Sequence, residues 1–122
     1  MTDYQLGAVE SRFADIIWEN EPIASAELCK LSETELGWKK STTYTVLKRL
    51  CEKGLFANEK GRVCALISRG EFYSRRSERF VDDAFKGSLP AFLTAFTKSK
   101  SLSADDIAEI RKMLDEYSEG NK

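Results

Sequence analysis

The side chains in this sequence that could do chemistry are hydroxyls and cations gathered in one short run. Ser41, Thr42, Tyr44 and Thr45 supply hydroxyls, Lys40, Lys48 and Arg49 flank them, and Lys60 and Arg62 follow on either side of a glycine. Hydroxyls exchange hydrogen bonds with base edges, cations pair with phosphates, and a threonine or tyrosine can rest against a thymine methyl. That is the chemistry of reading a duplex rather than of making or breaking bonds. The chain has no histidine, so Ser-His-Asp and Cys-His catalysis lack their general base. The carboxylates are dispersed and no glycine-rich phosphate loop occurs, so no enzyme and no cofactor site are expected.

The distribution of charge supports the same emphasis. Net charge is only −1, but residues 1–37 carry net −6, residues 38–64 net +5 and residues 65–122 are balanced. The cationic block consists of Lys39, Lys40, Lys48, Arg49, Lys53, Lys60 and Arg62. A local cationic surface in an otherwise neutral protein is the footprint of phosphate binding; a solvated lysine-rich helix is the plainer alternative. Hydrophobic residues make up 42% and charged residues 32% of the 122, a globular profile. No apolar run approaches the roughly 20 residues of a membrane span, and the start Met1-Thr2-Asp3-Tyr4 has no signal-peptide pattern, so a cytoplasmic protein without direct membrane binding is expected.

The three cysteines, Cys29, Cys51 and Cys64, are odd in number and widely spaced. That argues against a disulfide framework and, with no C-x-x-C and no histidine, against a metal site. Cys51 and Cys64 lie beside apolar positions and read as small buried hydrophobes. The other reading is a redox switch, since Arg49, Lys53 and Arg62 would lower the pKa of an exposed thiol.

The elements that must position the run are legible from periodicity. Leu6, Val9, Phe13, Ile16 and Ile17 predict an amphipathic helix over residues 5–20, stopped by Asn20-Glu21-Pro22. A second helix is expected over residues 25–35, with Ser25 as N-cap, Leu28 and Leu31 buried, and Gly37 as stop. A third covers residues 40–53, with Thr43, Val46, Leu47 and Leu50 inward and Gly54 after its end. Residues 55–58 and 63–67 read as strands of a hairpin around Lys60-Gly61. Helical spacing resumes after Ser68, is interrupted by Arg75-Arg76-Ser77-Glu78-Arg79, breaks at Gly87, and returns over residues 89–97, where Pro90 fits only in a first turn. A last helix opens at Ser103 as N-cap, with Ile107, Ile110, Leu114 and Tyr117 as its buried stripe.

Three helices followed by a hairpin make a winged helix-turn-helix, and the fold class expected is mainly α: this domain over residues 1–70, then a helical dimerisation domain over residues 71–122. The third helix can dock by its apolar side and offer Lys40, Ser41, Thr42, Tyr44, Thr45, Lys48 and Arg49 to a major groove about 12 Å wide. Lys60 and Arg62 at the hairpin bend are expected to lie along the neighbouring backbone. In the C-terminal part, Phe72, Tyr73, Phe80, Phe85, Leu89, Phe92, Leu93 and Phe96, with Ile107, Ile110 and Leu114, are too many apolar groups for a short helical appendage to bury alone. Pairing two copies would cover them and present two reading helices to a palindrome; folding back onto the winged helix of the same chain is the alternative. The same surfaces also suit a winged helix that serves protein assembly and binds no specific DNA.

The sequence resembles the penicillinase-repressor (BlaI/MecI/CopY) family along almost its whole length. The resemblance rests on Glu10 with Ile16-Ile17-Trp18 and on Trp38 with Ser41-Thr42-Thr43-Tyr44-Thr45-Val46-Leu47-Lys48-Arg49-Leu50 through Lys53-Gly54-Leu55. It continues at residues 80–87, ending Lys86-Gly87, and at residues 102–114. It implies a homodimeric repressor on inverted-repeat operators of double-stranded DNA. In the β-lactam branch it implies a membrane sensor protease as partner and cleavage within the dimerisation domain. The aligned position is Ala95-Phe96, with alanine where the family has asparagine. The copper branch carries C-terminal cysteines, and none follows Cys64.

Overall fold

The computed structural model describes residues 4–120. Helix α1 (Ala8–Asn20) is followed by strand β1 (Ile23–Ala24), α2 (Ser25–Leu36), α3 (Lys40–Glu52), β2 (Phe56–Glu59), β3 (Arg62–Ala65), α4 (Arg69–Phe85), α5 (Leu89–Ser99) and α6 (Ala104–Gly120). This is the winged-helix order followed by helices, as the sequence predicts. The stops are where the chain chemistry puts them. Glu21, before Pro22, is extended, which ends α1. Gly37 and Gly54 have φ of 69° and 84° after α2 and α3, a left-handed geometry that glycine adopts without a Cβ penalty. Gly54 lets the Leu55 N–H reach back to the Leu50 carbonyl at 3.2 Å.

The sheet has three antiparallel strands in the order β1-β3-β2. Phe56 pairs with Ala65 and Glu59 with Arg62, while Ile23 and Ala24 pair with Val63 and Arg62. Strand β1 has only two residues, too few for an alternating pattern to announce it.

The core of the first unit is built from one face of each element. Phe13, Ile17, Leu28, Leu50, Leu55, Phe56, Val63 and Phe72 are each within about 1% of complete burial. Trp18 joins three elements: its indole N–H donates to the Ile67 carbonyl at 2.9 Å, and its ring lies 5.2 Å from Phe56 and 5.4 Å from Phe72. Val9 departs from expectation. It shares the apolar face of α1 but sits in the first turn, at the end of the helix, and stays 50% exposed.

The described chain falls into two compact units, Met1–Arg79 and Phe80–Lys122. The boundary expected after residue 70 therefore moves, because the first turns of α4 belong to the winged helix. Phe72 is fully buried there, with Tyr73 against it and Tyr4 at 5.9 Å. The Arg76 guanidinium donates to the Leu6 carbonyl at 3.1 Å. Phe72 is thus withdrawn from the set of dimerisation residues: a side chain already enclosed by Trp18 and Tyr4 has no surface left for a second copy. The charged run from Arg75 to Arg79 does not interrupt α4, since Arg75 pairs one turn back with Glu71 at 2.9 Å and Arg75, Glu78 and Arg79 lie on the solvent side.

In the second unit Ser88 caps α5 by accepting from the Ala91 N–H at 3.1 Å, Pro90 falls in the first turn, and Ser103 caps α6 by accepting from the Asp106 N–H at 3.0 Å. Phe80, Phe85, Phe92 and Phe96 form a chain of ring contacts. Yet no residue of α5 or α6 is buried. Leu114 and Tyr117, expected inward, are 57% and 71% exposed.

Two stability predictions follow from the first unit. Phe72→Ala should lower the unfolding free energy of the winged helix by about 3–5 kcal/mol, measurable by urea titration; a loss below about 1 kcal/mol would return Phe72 to the interface set. Ser32 is fully buried on α2 and its hydroxyl has no hydrogen-bond partner among the described residues. Ser32→Ala should therefore leave the melting temperature unchanged or raise it, and a marked fall would show that the hydroxyl is satisfied in solution.

Candidate nucleic-acid interface

An α-helix advances about 100° per residue, which divides α3 cleanly. Thr43, Val46, Leu47 and Leu50 are buried, and Ser41, Thr42, Thr45, Lys48 and Arg49 are exposed on the other side. The buried threonine is tolerated because its Oγ1 donates to the Lys39 carbonyl at 3.2 Å. On the exposed side Thr45 Oγ1 donates to the Ser41 carbonyl at 2.9 Å. That bond fixes the rotamer and uses the proton, leaving lone pairs to accept from an amino group of adenine or cytosine and a methyl to meet thymine.

Two expected contact residues are engaged within the protein. Tyr44 is half-buried against the core, and its hydroxyl donates to Ser25 Oγ at 3.2 Å. It flanks the exposed face rather than standing on it. Arg49 lies on that face but forms an ion pair with Glu10 of α1 at 3.3 Å. Glu10 also accepts from the Gly7 N–H at 3.1 Å. That hydrogen bond, aided by the Lys53 and Arg49 charges, holds the Glu10 carboxyl below its usual 4.5. Arg49 thereby fastens the far end of α3 to α1. Lys40, Lys48, Lys60 and Arg62 are exposed and take no part in the ion pairs found among the described residues.

The hairpin tip is a two-residue turn with φ of 53° at Lys60 and 78° at Gly61. Positive φ at both positions is what a tight turn matching the strand twist requires. Lysine at the first of them costs on the order of 1 kcal/mol relative to a residue at ease there, and it places a cation at the outermost point of the wing. The tip is tied to α2, since the Ser25 N–H donates to the Gly61 carbonyl at 2.7 Å.

Ser25 is the residue that sequence reasoning misplaced. Ala24 occupies the N-cap, Ser25 begins α2, and its hydroxyl serves Tyr44 rather than a helix end. A small polar residue just after Pro22-Ile23-Ala24 has the local signature of a cap, and no local pattern announces a partner 19 positions away.

The cysteines are half-buried and none is in a disulfide, so full burial is not what they show. Burial pushes the Cys51 thiol up, against the lowering that its basic neighbours suggested. The opposite charge lies elsewhere. A groove of about 380 Å³ between α1 and α2 is lined by Asp15, Glu19 and Glu35 along with Arg12, Ile16 and Leu36, a poor surface for phosphate. In the second unit Ala95 and Phe96 lie inside α5, both exposed. Among the described residues no helix is long and apolar enough to cross a membrane.

Comparison with known proteins follows the same outline. A family model described as penicillinase repressor matches residues 6–116. The chain is 28% identical over 123 residues to the penicillinase repressor of Bacillus licheniformis, spanning 97% of this chain and 95% of that protein. It is 24% identical over 115 residues to the methicillin resistance regulatory protein MecI of Staphylococcus aureus strain Mu50, spanning 91% of this chain and 94% of that one. The MecI protein of Staphylococcus epidermidis is 23% identical over the same length.

Because the folded state holds Glu10 more acidic than the unfolded chain does, its contribution to stability is present above about pH 4.5 and is lost as pH falls through the lower, folded value. Glu10→Gln should be less stable than the parent at neutral pH, by up to about 1 kcal/mol, and the two unfolding curves should converge in acid. Equal stability at pH 7 would mean that the α1–α3 tie contributes nothing.

Proposed function

Since the chain belongs to the penicillinase-repressor family, we propose that it is a transcriptional repressor that binds double-stranded DNA as a homodimer at inverted-repeat operators. The observation that carries this reading is the two-sided α3: buried Thr43, Val46, Leu47 and Leu50 behind, exposed Ser41, Thr42, Thr45 and Lys48 in front. Lys60 and Arg62 stand at the wing tip, where a duplex backbone beside the occupied groove would pass. In this reading Ser41, Thr42 and Thr45 face base edges, while Lys40, Lys48, Lys60 and Arg62 meet phosphates. Tyr44, beside that face, and Arg49, on it, hold α3 in place through Ser25 and Glu10.

The first unit is then the DNA-binding domain and the second the dimerisation domain. Supporting that division, Phe80, Leu89, Phe96, Ile107 and Leu114 are between 38% and 57% exposed. Phe92, Leu93, Phe96, Leu102, Ile110 and Met113 line an apolar groove of about 300 Å³. Contiguous apolar surface of this kind marks an interaction site. Phe85 and the half-buried Phe92, Leu93 and Ile110 complete the proposed interface, in which a second copy supplies the missing cover. Two linked reading heads raise affinity for a palindrome well above that of one.

The reading extends to release. A cut between Ala95 and Phe96 by a membrane sensor protease would sever α6 and dissolve the pairing. Proteases take extended backbone, so α5, which holds Ala95 and Phe96, must open before this bond is cleaved.

The test is equilibrium binding of the full chain to a duplex from its own upstream region. Affinity should fall steeply between 50 and 200 mM salt, roughly in the manner expected for several phosphate contacts. Lys48→Ala should weaken binding to all sequences and lower the salt slope by about 1. Thr45→Ala should instead relax discrimination at one base pair, by about 1–3 kcal/mol. Binding indifferent to salt and to both substitutions would contradict the proposal and favour a protein-assembly role for the winged helix.

A further inference from the structure

Two parts of the proposed DNA surface converge on one small side chain. Ser25 is 9% exposed, at the start of α2. Its hydroxyl accepts from the Tyr44 hydroxyl of α3 at 3.2 Å, and its backbone N–H donates to the Gly61 carbonyl of the wing tip at 2.7 Å. A Cβ added at position 61 would come to 3.7 Å from Ser25 Oγ, so the turn lies close beside this side chain, and the bond that joins them is the one from the Ser25 N–H. The adjoining strand β1 has only two residues, Ala24 pairing with Arg62. A ladder that short restrains a hairpin tip weakly, and the Ser25 contacts supply the restraint that further rungs would otherwise give.

We propose that Ser25 is a positioning residue for DNA binding: by tying Tyr44 to the Gly61 turn it sets the spacing between α3 and the wing, so that groove face and wing cations engage one duplex as a unit. This rests on the repressor reading above. A rigid spacing presents Lys60 and Arg62 to the backbone once α3 is seated, without a further ordering cost. Loss of either hydroxyl leaves both contact surfaces and the Ser25 N–H bond to Gly61 intact but removes the link from Tyr44 that couples α3 to the wing.

The experiment titrates full-length Ser25→Ala, Tyr44→Phe and the double variant, each with and without Lys60→Ala, against the upstream duplex over a salt series. Either hydroxyl deletion should weaken binding about fivefold, the worth of one neutral hydrogen bond, and the double variant should be no weaker than the singles. The slope of log K against log salt should fall by about one phosphate contact. Lys60→Ala should cost much less in the Ser25→Ala background than in the parent. A merely structural serine would lower the melting temperature while leaving the slope and the Lys60 effect as in the parent, and that result overturns the proposal. Should Ser25→Ala fail to fold, Tyr44→Phe, which keeps the ring against the core, carries the same expectation. Parent protein that binds no DNA overturns the repressor reading and the coupling together. Parent protein that binds, with Ser25 and Lys60 losses that simply multiply, overturns the coupling alone.

Discussion

A helix can serve two surfaces only if one side alone is enough to hold it, and α3 meets that constraint. Thr43, Val46, Leu47 and Leu50 dock it. Burying a leucine or valine side chain is worth about 1.5–3 kcal/mol, so three such residues supply most of the docking of the helix. The remaining architecture keeps that docking in register. Ser25 holds Tyr44 toward the start of the helix, and Glu10 holds Arg49 near its end. Trp18 joins α1, β2 and the first turn of α4 behind it. The exposed side is therefore free to carry small hydroxyls and a lysine, side chains that suit a groove.

Charge follows the same partition. The acidic N-terminal segment and the cationic segment after it are adjacent in sequence, yet they supply different faces: Asp15, Glu19 and Glu35 line the α1–α2 groove, while Lys40, Lys48, Lys60 and Arg62 stand on α3 and the wing. A neutral molecule with separated charge is drawn to a polyanion in one orientation and repelled in the other. Net charge alone conceals this.

Much of the fold was legible in the residues themselves. The bounds of α3, the stops at Gly37 and Gly54, Pro90 in the first turn of α5 and the cap at Ser103 follow from local chemistry acting within a few positions. What escaped is non-local. Periodicity identifies which face of α4 is apolar but not what covers it, so Phe72 was grouped with Phe80 and Phe85 although it lies under Trp18 and Tyr4. Strand β1 exists only because β3 offers Ile23 and Ala24 a partner. The exposed face of α3 could be drawn from spacing, but the ties of Tyr44 to Ser25 and Arg49 to Glu10 span 19 and 39 positions. Those ties engage both residues within the protein, which spacing alone does not announce.

The central claim is that one side of α3, together with the wing tip, meets a duplex. The most direct measurement is a map of backbone amide shifts in the full chain as its upstream duplex is added. The account places the largest changes at Ser41, Thr42, Thr45, Lys48 and Lys60 to Arg62, with the acidic α1–α2 groove unmoved. Changes confined to that groove, or to α5 and α6, would contradict it.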